Sequence, residues 1–306
     1  MNHRLLGSAA MATVVAGACW WISALAGAPQ TPGSVGGSAS RFAGLPETVL
    51  KEAAAKPTPH APDGHPDLTG FWTDGSPDVG AILAPNPTTV SKDGKVTQLG
   101  FDSERALCDR GVASFKRRAA DPSLRPSYKR EYQARVDDNF KRQQYLDPAF
   151  RCQPEGVPRA GVPAEIVQTP AALYFFYRPR ENNSSFRVIP TDGRPHNKEA
   201  DAMADGDSVG RWEGDTLVVD VTNLSEDTWL DVDGDIHSAA THLVERFTRR
   251  GNSLRYAVTV EDPIMLTNPW TPRPRTVILG KPGQHVEQNY PCSERSTPHL
   301  ANFDRH

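Results

Sequence analysis

Side chains that can move a proton or hold a charge crowd one window of this chain. Three of its nine histidines, His196, His237 and His242, stand there with Asp192, Asp220, Asp231 and Glu245. Arg187, Arg194, Arg211, Glu213, Trp212 and Trp229 lie among them. Imidazole beside carboxylate is the pairing that general acid–base chemistry needs, and arginine is the residue that grips a carboxylate or another planar anion. The alternative for each histidine is a solvated loop residue. Glu245 carries a sharper expectation. Alternation along 241–248 places Leu243, Glu245 and Phe247 on one face and His242, Val244 and Arg246 on the other. A carboxylate sharing a face with large apolar side chains is driven toward its neutral form unless an arginine or histidine pairs with it, and its structural reading is a buried ion pair. Glu245 is therefore expected inside, with His196 or His237 reaching it from a loop. In the preceding strand the same alternation sets Asp220 opposite Leu217, Val219 and Val221, so Asp220 faces solvent.

Metal chemistry has weaker support. His237 and His242 are five apart across a loop-to-strand junction, and no HExxH pair occurs. Asp231-Val-Asp-Gly-Asp235 looks like a calcium loop, but its glycine position and missing distal glutamate do not fit the EF-hand pattern, and an acidic turn is the simpler reading. No phosphate loop, serine elbow or dinucleotide fingerprint is present. Neither a metal nor any other cofactor is expected.

The elements that must hold these residues are short strands. From Cys152 onward the apolar pattern has period two, with runs at 165–169, 173–177, 186–189, 210–212, 216–221, 243–249, 254–261 and 276–279. Glu213-Gly-Asp215 and Arg250-Gly-Asn252 read as hairpin turns, and Phe71-Trp72 as a first strand. The fold class is mainly β: an antiparallel meander closing into a barrel, with a helical N-terminal arm. In that arm, Tyr128, Tyr132, Val136 and Phe140 recur every four residues, giving one apolar helical stripe that Asp147-Pro148 stops.

Residues 1–26 read as a signal peptide: Arg4, then an apolar run, then Ala24-Leu25-Ala26 as a cleavage site. Residues 27–60 read as a flexible linker, and 61–306 as one β-barrel domain with a helical insert at about 104–147. Export to the periplasm or beyond favours a disulfide, with Cys152 and Cys292 the expected pair and Cys108 left over. A net charge of −3, from 34 basic and 37 acidic residues mixed along the chain, leaves no footprint for nucleic acid and favours a small-molecule partner. No membrane span is expected after processing.

Five strings, Pro66-Asp-Leu-Thr-Gly-Phe-Trp72, Arg151-Cys-Gln-Pro-Glu-Gly-Val-Pro-Arg159, Phe186-Arg-Val-Ile-Pro-Thr-Asp-Gly-Arg-Pro-His196, Ser208-Val-Gly-Arg-Trp-Glu-Gly-Asp-Thr-Leu-Val-Val-Asp220 and His242-Leu-Val-Glu-Arg-Phe247, resemble those of a large, mostly uncharacterised family of exported bacterial proteins. The strand pattern is similar to lipocalin-type barrels, which include carriers of small apolar ligands and metal-free phenolic acid decarboxylases. The resemblance implies a site among Arg187, Asp192, Arg194, His196, Arg211, Trp212, Glu213, Trp229, His237, His242 and Glu245. The leading expectation is a cofactor-free lyase, or a related acid–base enzyme, acting on a small aromatic or apolar molecule in a barrel pocket. Glu245, His196, His237, His242 and Asp192 would do the catalysis, and Arg187, Arg194, Arg211, Trp212 and Trp229 would bind the substrate. The alternatives are a periplasmic small-ligand binding protein and a metal-dependent hydrolase.

Overall fold

The structure, a computed structural model, describes residues 45–74, 88–90, 96–98, 124–142, 146–177 and 186–286. Its centre is a nine-stranded antiparallel sheet, nearly closed into a barrel. The strands are β1 (Gly70–Thr73), β4 (Glu165–Gln168), β5 (Ala172–Phe176), β6 (Phe186–Pro190), β7 (Asp207–Glu213), β8 (Thr216–Thr222), β9 (His242–Arg250), β10 (Ser253–Glu261) and β11 (Arg275–Leu279). A separate pair, β2 (Thr88–Val90) and β3 (Val96–Gln98), forms a small hairpin. Each period-two run of the sequence becomes a strand because one of its faces is apolar and must be covered. Tight turns at Gly214 and Gly251, both with positive φ, then fold neighbours back on one another. The order is β6-β5-β4-β1-β11-β10-β9-β8-β7. Two meanders are thus joined by β1, which pairs with β4 on one side and β11 on the other.

An odd number of antiparallel strands has a topological consequence. Directions alternate across the sheet, so the two edges, β6 and β7, run the same way and cannot be joined by a hairpin. The connection 191–206 must instead return along the wall. Side chains close the seam between these edges. Arg187 of β6 donates to Ser208 Oγ of β7 at 2.7 Å. A β-carbon on Gly210 would lie 2.9 Å from a methyl carbon of Ile189 and 3.0 Å from one of Thr191, so only glycine lets β6 pack against β7 there.

The inner face carries the core. Trp72, Ile166, Phe175, Leu217, Leu243 and Phe247 are each at most 2% exposed. Phe247 meets Phe175 edge-on at 4.9 Å and Tyr256 at 5.0 Å. Each such side chain contributes about 1.5–3 kcal/mol by leaving water. Arg249 closes one end, its guanidinium 5.1 Å from the Trp72 ring centre and its Nε donating to Gly251 O at 2.8 Å.

Within the stretch read as a linker, helix α1 (Glu47–Ala54) lies against the β9–β10 turn, where Asn252 N donates to Ala53 O at 2.8 Å and Gly251 N to Thr58 Oγ1 at 2.7 Å; residues 27–44 lie outside the described residues. Helix α2 (Arg130–Lys141) follows the four-residue stripe, with Val136 fully buried. It ends before a short 3₁₀ turn, Pro148–Arg151, capped by Asp147. Cys152 follows that turn and is disulfide-bonded. Cys108, Cys292 and the 1–26 segment lie outside the described residues. Among the described residues no helix is long and apolar enough to cross a membrane.

Candidate functional site

The polar residues singled out by the sequence divide into two groups on opposite sides of the same wall. Alternation on β9 does what its pattern demands. Glu245 points inward between Val219 and Val258 and is fully buried, while His242 and Arg246 point outward. Arg187 of β6 meets Glu245 across the interior, its Nη2 2.8 Å from Oε2. That nitrogen directs its hydrogen bond to Ser208 Oγ, so its contact with the carboxylate is ionic rather than an aligned hydrogen bond. Tyr256 donates to Glu245 Oε1 at 2.9 Å, and Arg187 Nη1 donates to Tyr177 Oη at the same distance. Burial works to lower the Arg187 pKa, but the facing Glu245 carboxylate outweighs it and holds it well above its ordinary value. Burial pushes both tyrosines up, so their hydroxyls stay protonated. Asp205, near this group, is also raised by burial, with Arg187 opposing the shift.

The expected histidine partner of Glu245 is therefore corrected: neither His196 nor His237 reaches it. Arg187, in ionic contact with Oε2, and the Tyr256 phenol, bonded to Oε1, face it instead, and water has no access to its side chain. A substrate cannot touch Glu245 in this conformation.

The outer group is a chain. His196, carried by the 191–206 connection, places Nδ1 2.7 Å from Asp207 Oδ2 of β7 and Nε2 2.9 Å from Asp220 Oδ1 of β8. His242 of β9 places its Nε2 2.9 Å from the same Asp220 oxygen and its Nδ1 3.4 Å from Glu261 Oε2 of β10. Strand register makes this possible, because β7, β8, β9 and β10 are successive neighbours, with Asp207 opposite Thr222 and His242 opposite Glu261. The side chains of His196, Asp207 and Asp220 are 23–25% exposed and that of His242 34%, so solvent reaches every link.

Ionised carboxylates only accept. A ring lying between two of them satisfies both only when each of its nitrogens carries a proton. A fully bonded chain thus needs a donor on every ring nitrogen that faces a carboxylate. Burial works against charge on His242, but its bonds to Asp220 and Glu261 outweigh burial and raise its pKa above the ordinary histidine value. Burial likewise works against charge on Asp220, and the two histidines overcome it and lower its pKa. Such a chain can store a proton, pass it along and release it to a molecule docked on the wall.

The other candidates lie apart. Asp192 and Arg194 are an exposed pair that bond each other, Arg194 Nη2 donating to Asp192 Oδ2 at 2.6 Å, and this holds the Asp192 carboxyl down at about 2. Arg211 and Arg246 share Glu213 on the outer wall. Trp212 stacks on His65 with ring centres 4.7 Å apart. Trp229 is buried, with the Arg159 guanidinium 6.0 Å from its ring centre. His237 is buried between Thr228 Oγ1 at 2.9 Å and Ser238 O at 3.1 Å, and burial lowers its pKa, so it stays neutral. In the Asp231–Asp235 loop, Asp235 is fully buried and accepts two bonds from Arg125, which makes it a structural pair. Among the described residues no three His, Cys, Asp or Glu side chains are placed to hold one metal ion.

Sequence reasoning missed Asp207, Glu261, Tyr177, Ser208 and Tyr256. Strand parity on β7 and β10 would have flagged the first two as outward partners of His242's row. No known protein family matches this chain, and neither the curated proteins nor the solved structures contain a significant match.

Proposed function

We propose that this chain is a cofactor-free acid–base enzyme acting on a small molecule, with the His196–Asp220–His242 chain on the outer wall as its proton-transfer centre. One observation carries the reading: two histidines share a single carboxylate oxygen at 2.9 Å each, in a solvent-reached position. A structural pair needs one partner and gains from burial. This arrangement gives each imidazole a carboxylate on both sides and leaves the chain open to solvent, which suits groups that must change protonation during turnover. Asp220 would orient both rings, His242 would act as general acid in its charged form, and His196 would return the proton.

The lyase assignment, in which a proton is delivered or removed as a carbon–carbon or carbon–oxygen bond breaks, is the part of the proposal that names the reaction. Export to the periplasm or beyond belongs to the same proposal, supported by the apolar N-terminal run and by the disulfide at Cys152. Purified protein is to be incubated with small aromatic carboxylic and hydroxy acids in D₂O, following bond cleavage and deuterium incorporation by NMR. The expected result is turnover of a panel member that falls by roughly two to four powers of ten in His242→Gln and in Asp220→Asn. Turnover undiminished in both variants would sink the assignment of the centre.

A further inference from the structure

The outer wall formed by β7 to β10 changes character along its strands. Register sets Asp220 between Val209 and Val244, and then, two residues and about 7 Å along β8, Val218 between Arg211 and Arg246. In the following row stand Glu213 of β7 and Arg255 of β10. The end that carries the histidines is acidic, with Asp207, Asp220 and Glu261. The other end is basic. Arg211 Nη2 lies 2.8 Å from one oxygen of Glu213 and Arg246 Nη1 2.8 Å from the other, while Arg255 adds a third cation to these two rows. Between the ends the wall is apolar. Val218 shares the outward parity of Asp220 yet is fully buried, because Arg246 of β9 must cross over β8 to reach Glu213 of β7 and its stem covers the valine. Val209 and Val244 are half-buried beside Asp220.

We propose that Arg246 and Arg211 are the specificity residues of this wall, binding the carboxylate of a flat apolar acid whose body lies over Val209 and Val244 and whose far end meets Asp220 and His242. The assignment of the far end rests on the acid–base reading, and the arginines name the substrate class. Glu213 neutralises one of the two guanidiniums. It engages Nε and Nη2 of Arg211 and Nη1 of Arg246, and a guanidinium has five N–H donors, so both arginines keep donors for a second carboxylate. Their side chains are 53% and 46% exposed. Water screens such pairs, so an incoming carboxylate joins or displaces Glu213 at little cost. Position then selects the molecule. The arginine heads lie one to two rows, about 7–14 Å, from Asp220, a span that an aromatic acid covers and a short aliphatic acid does not. A dicarboxylate would bring its second anion against Asp220 and Glu261, and a sugar acid has no apolar face to lay on the valines.

Binding is measured on the whole chain without turnover, by titrating ¹⁵N-labelled protein and following its amide resonances. The probe is 3-phenylpropionate, with 3-phenylpropanamide as the neutral control and propionate as the control without a ring. The acid should shift amides of β8 and β9 and bind about tenfold or more tighter than either control. Arg246→Gln should weaken it by about tenfold or more, and Arg246→Lys, which keeps the charge and loses the planar fork, should recover only part of that loss. The same spectra show whether each variant is folded. Absence of amide shifts with 3-phenylpropionate in the native chain would overturn the site, as would undiminished binding in folded Arg246→Gln. If the acid binds through Arg246 and no acid is turned over, the site stands and the acid–base reading falls. If an acid is turned over with KM unchanged in Arg246→Gln, the acid–base reading stands and this site falls.

Discussion

The inner and outer polar groups of this barrel use the same chemistry and are put to opposite use by a single variable, access to water. Inside, Glu245, Arg187, Tyr177 and Tyr256 are all at most 3% exposed. Their charges are fixed in place because neither ion can lose its partner without stranding the other in an apolar surround. Outside, Asp220 and the two histidines make bonds of similar length, yet solvent can replace any one of them. A buried pair resists titration and motion. A half-exposed chain tolerates both. Density of ionisable residues in the sequence does not separate these cases, since Arg187 and Glu245 belong to the same window as His196 and His242.

The largest effect that tests this contrast is on the inner pair. Glu245→Gln removes the carboxylate that pairs with the buried Arg187 guanidinium and should destabilise the protein by about 3–5 kcal/mol, measured by denaturant unfolding. Turnover per folded molecule should be unchanged. A variant that keeps native stability and loses turnover would restore Glu245 as a catalytic group and break the contrast.

Tyr256→Phe is the milder probe of the same cluster. It leaves Glu245 Oε1 without its 2.9 Å donor and should cost about 1–3 kcal/mol, the usual penalty for an unsatisfied buried acceptor. A neutral result would mean that the interior reorganises around Glu245 more freely than its burial implies.

The outer chain should reveal itself through pH rather than through large stability losses. His242 has a raised pKa in the folded state, so its stabilisation is complete below its unfolded value near 6.5 and is lost as pH rises through the higher folded value. Asp220 has a lowered pKa, so its contribution is complete above its unfolded value near 3.8 and is lost as pH falls through the lower folded one. Stability from this chain is therefore greatest between those limits. With groups a quarter to a third exposed, the change at each side should be at most about 1 kcal/mol. Thermal unfolding across pH should show the shallow alkaline decline in the native chain and not in His242→Gln.

Much of the fold was legible because each β position states its own environment. The runs at 165–169, 216–221 and 243–249 became β4, β8 and β9, shifted only at their ends. Parity alone placed Glu245 inward and Asp220 outward, and both are so placed. What parity cannot supply is a partner from a distant strand or a loop. Glu245 was expected to meet a histidine, and the arginine that meets it comes from β6, across the barrel rather than along the sheet. His196 was visible as a candidate, but its position depends on the odd strand count, which sends the 191–206 connection outside the wall instead of into the mouth. The strand between β4 and β11 was recognised from Phe71-Trp72, yet its place in the order is a long-range choice that no local pattern encodes. Helix α1 was missed because none of its eight residues is buried, and its contacts with Gly251 and Asn252 are made by backbone.

The smallest effect on stability carries the most information about function, and it comes from His242→Gln. The ring is a third exposed, its longer contact to Glu261 at 3.4 Å is weak, and its bond to Asp220 Oδ1 competes with water, so unfolding should change by less than about 1 kcal/mol. Glutamine can still donate to Asp220 and keep His196 oriented, but it cannot deliver a proton. If the outer chain is the proton-transfer centre, turnover should fall by roughly two to four powers of ten while KM stays near its native value, because the lost group acts only as the reacting bond breaks. The alkaline limb of the pH–rate profile should disappear with it, since that limb reports the discharge of His242. A rise in KM with turnover preserved would assign His242 to holding the substrate. A profile that keeps its alkaline limb in His242→Gln would place the acid on another residue, and His196 is the group with the geometry to take that role.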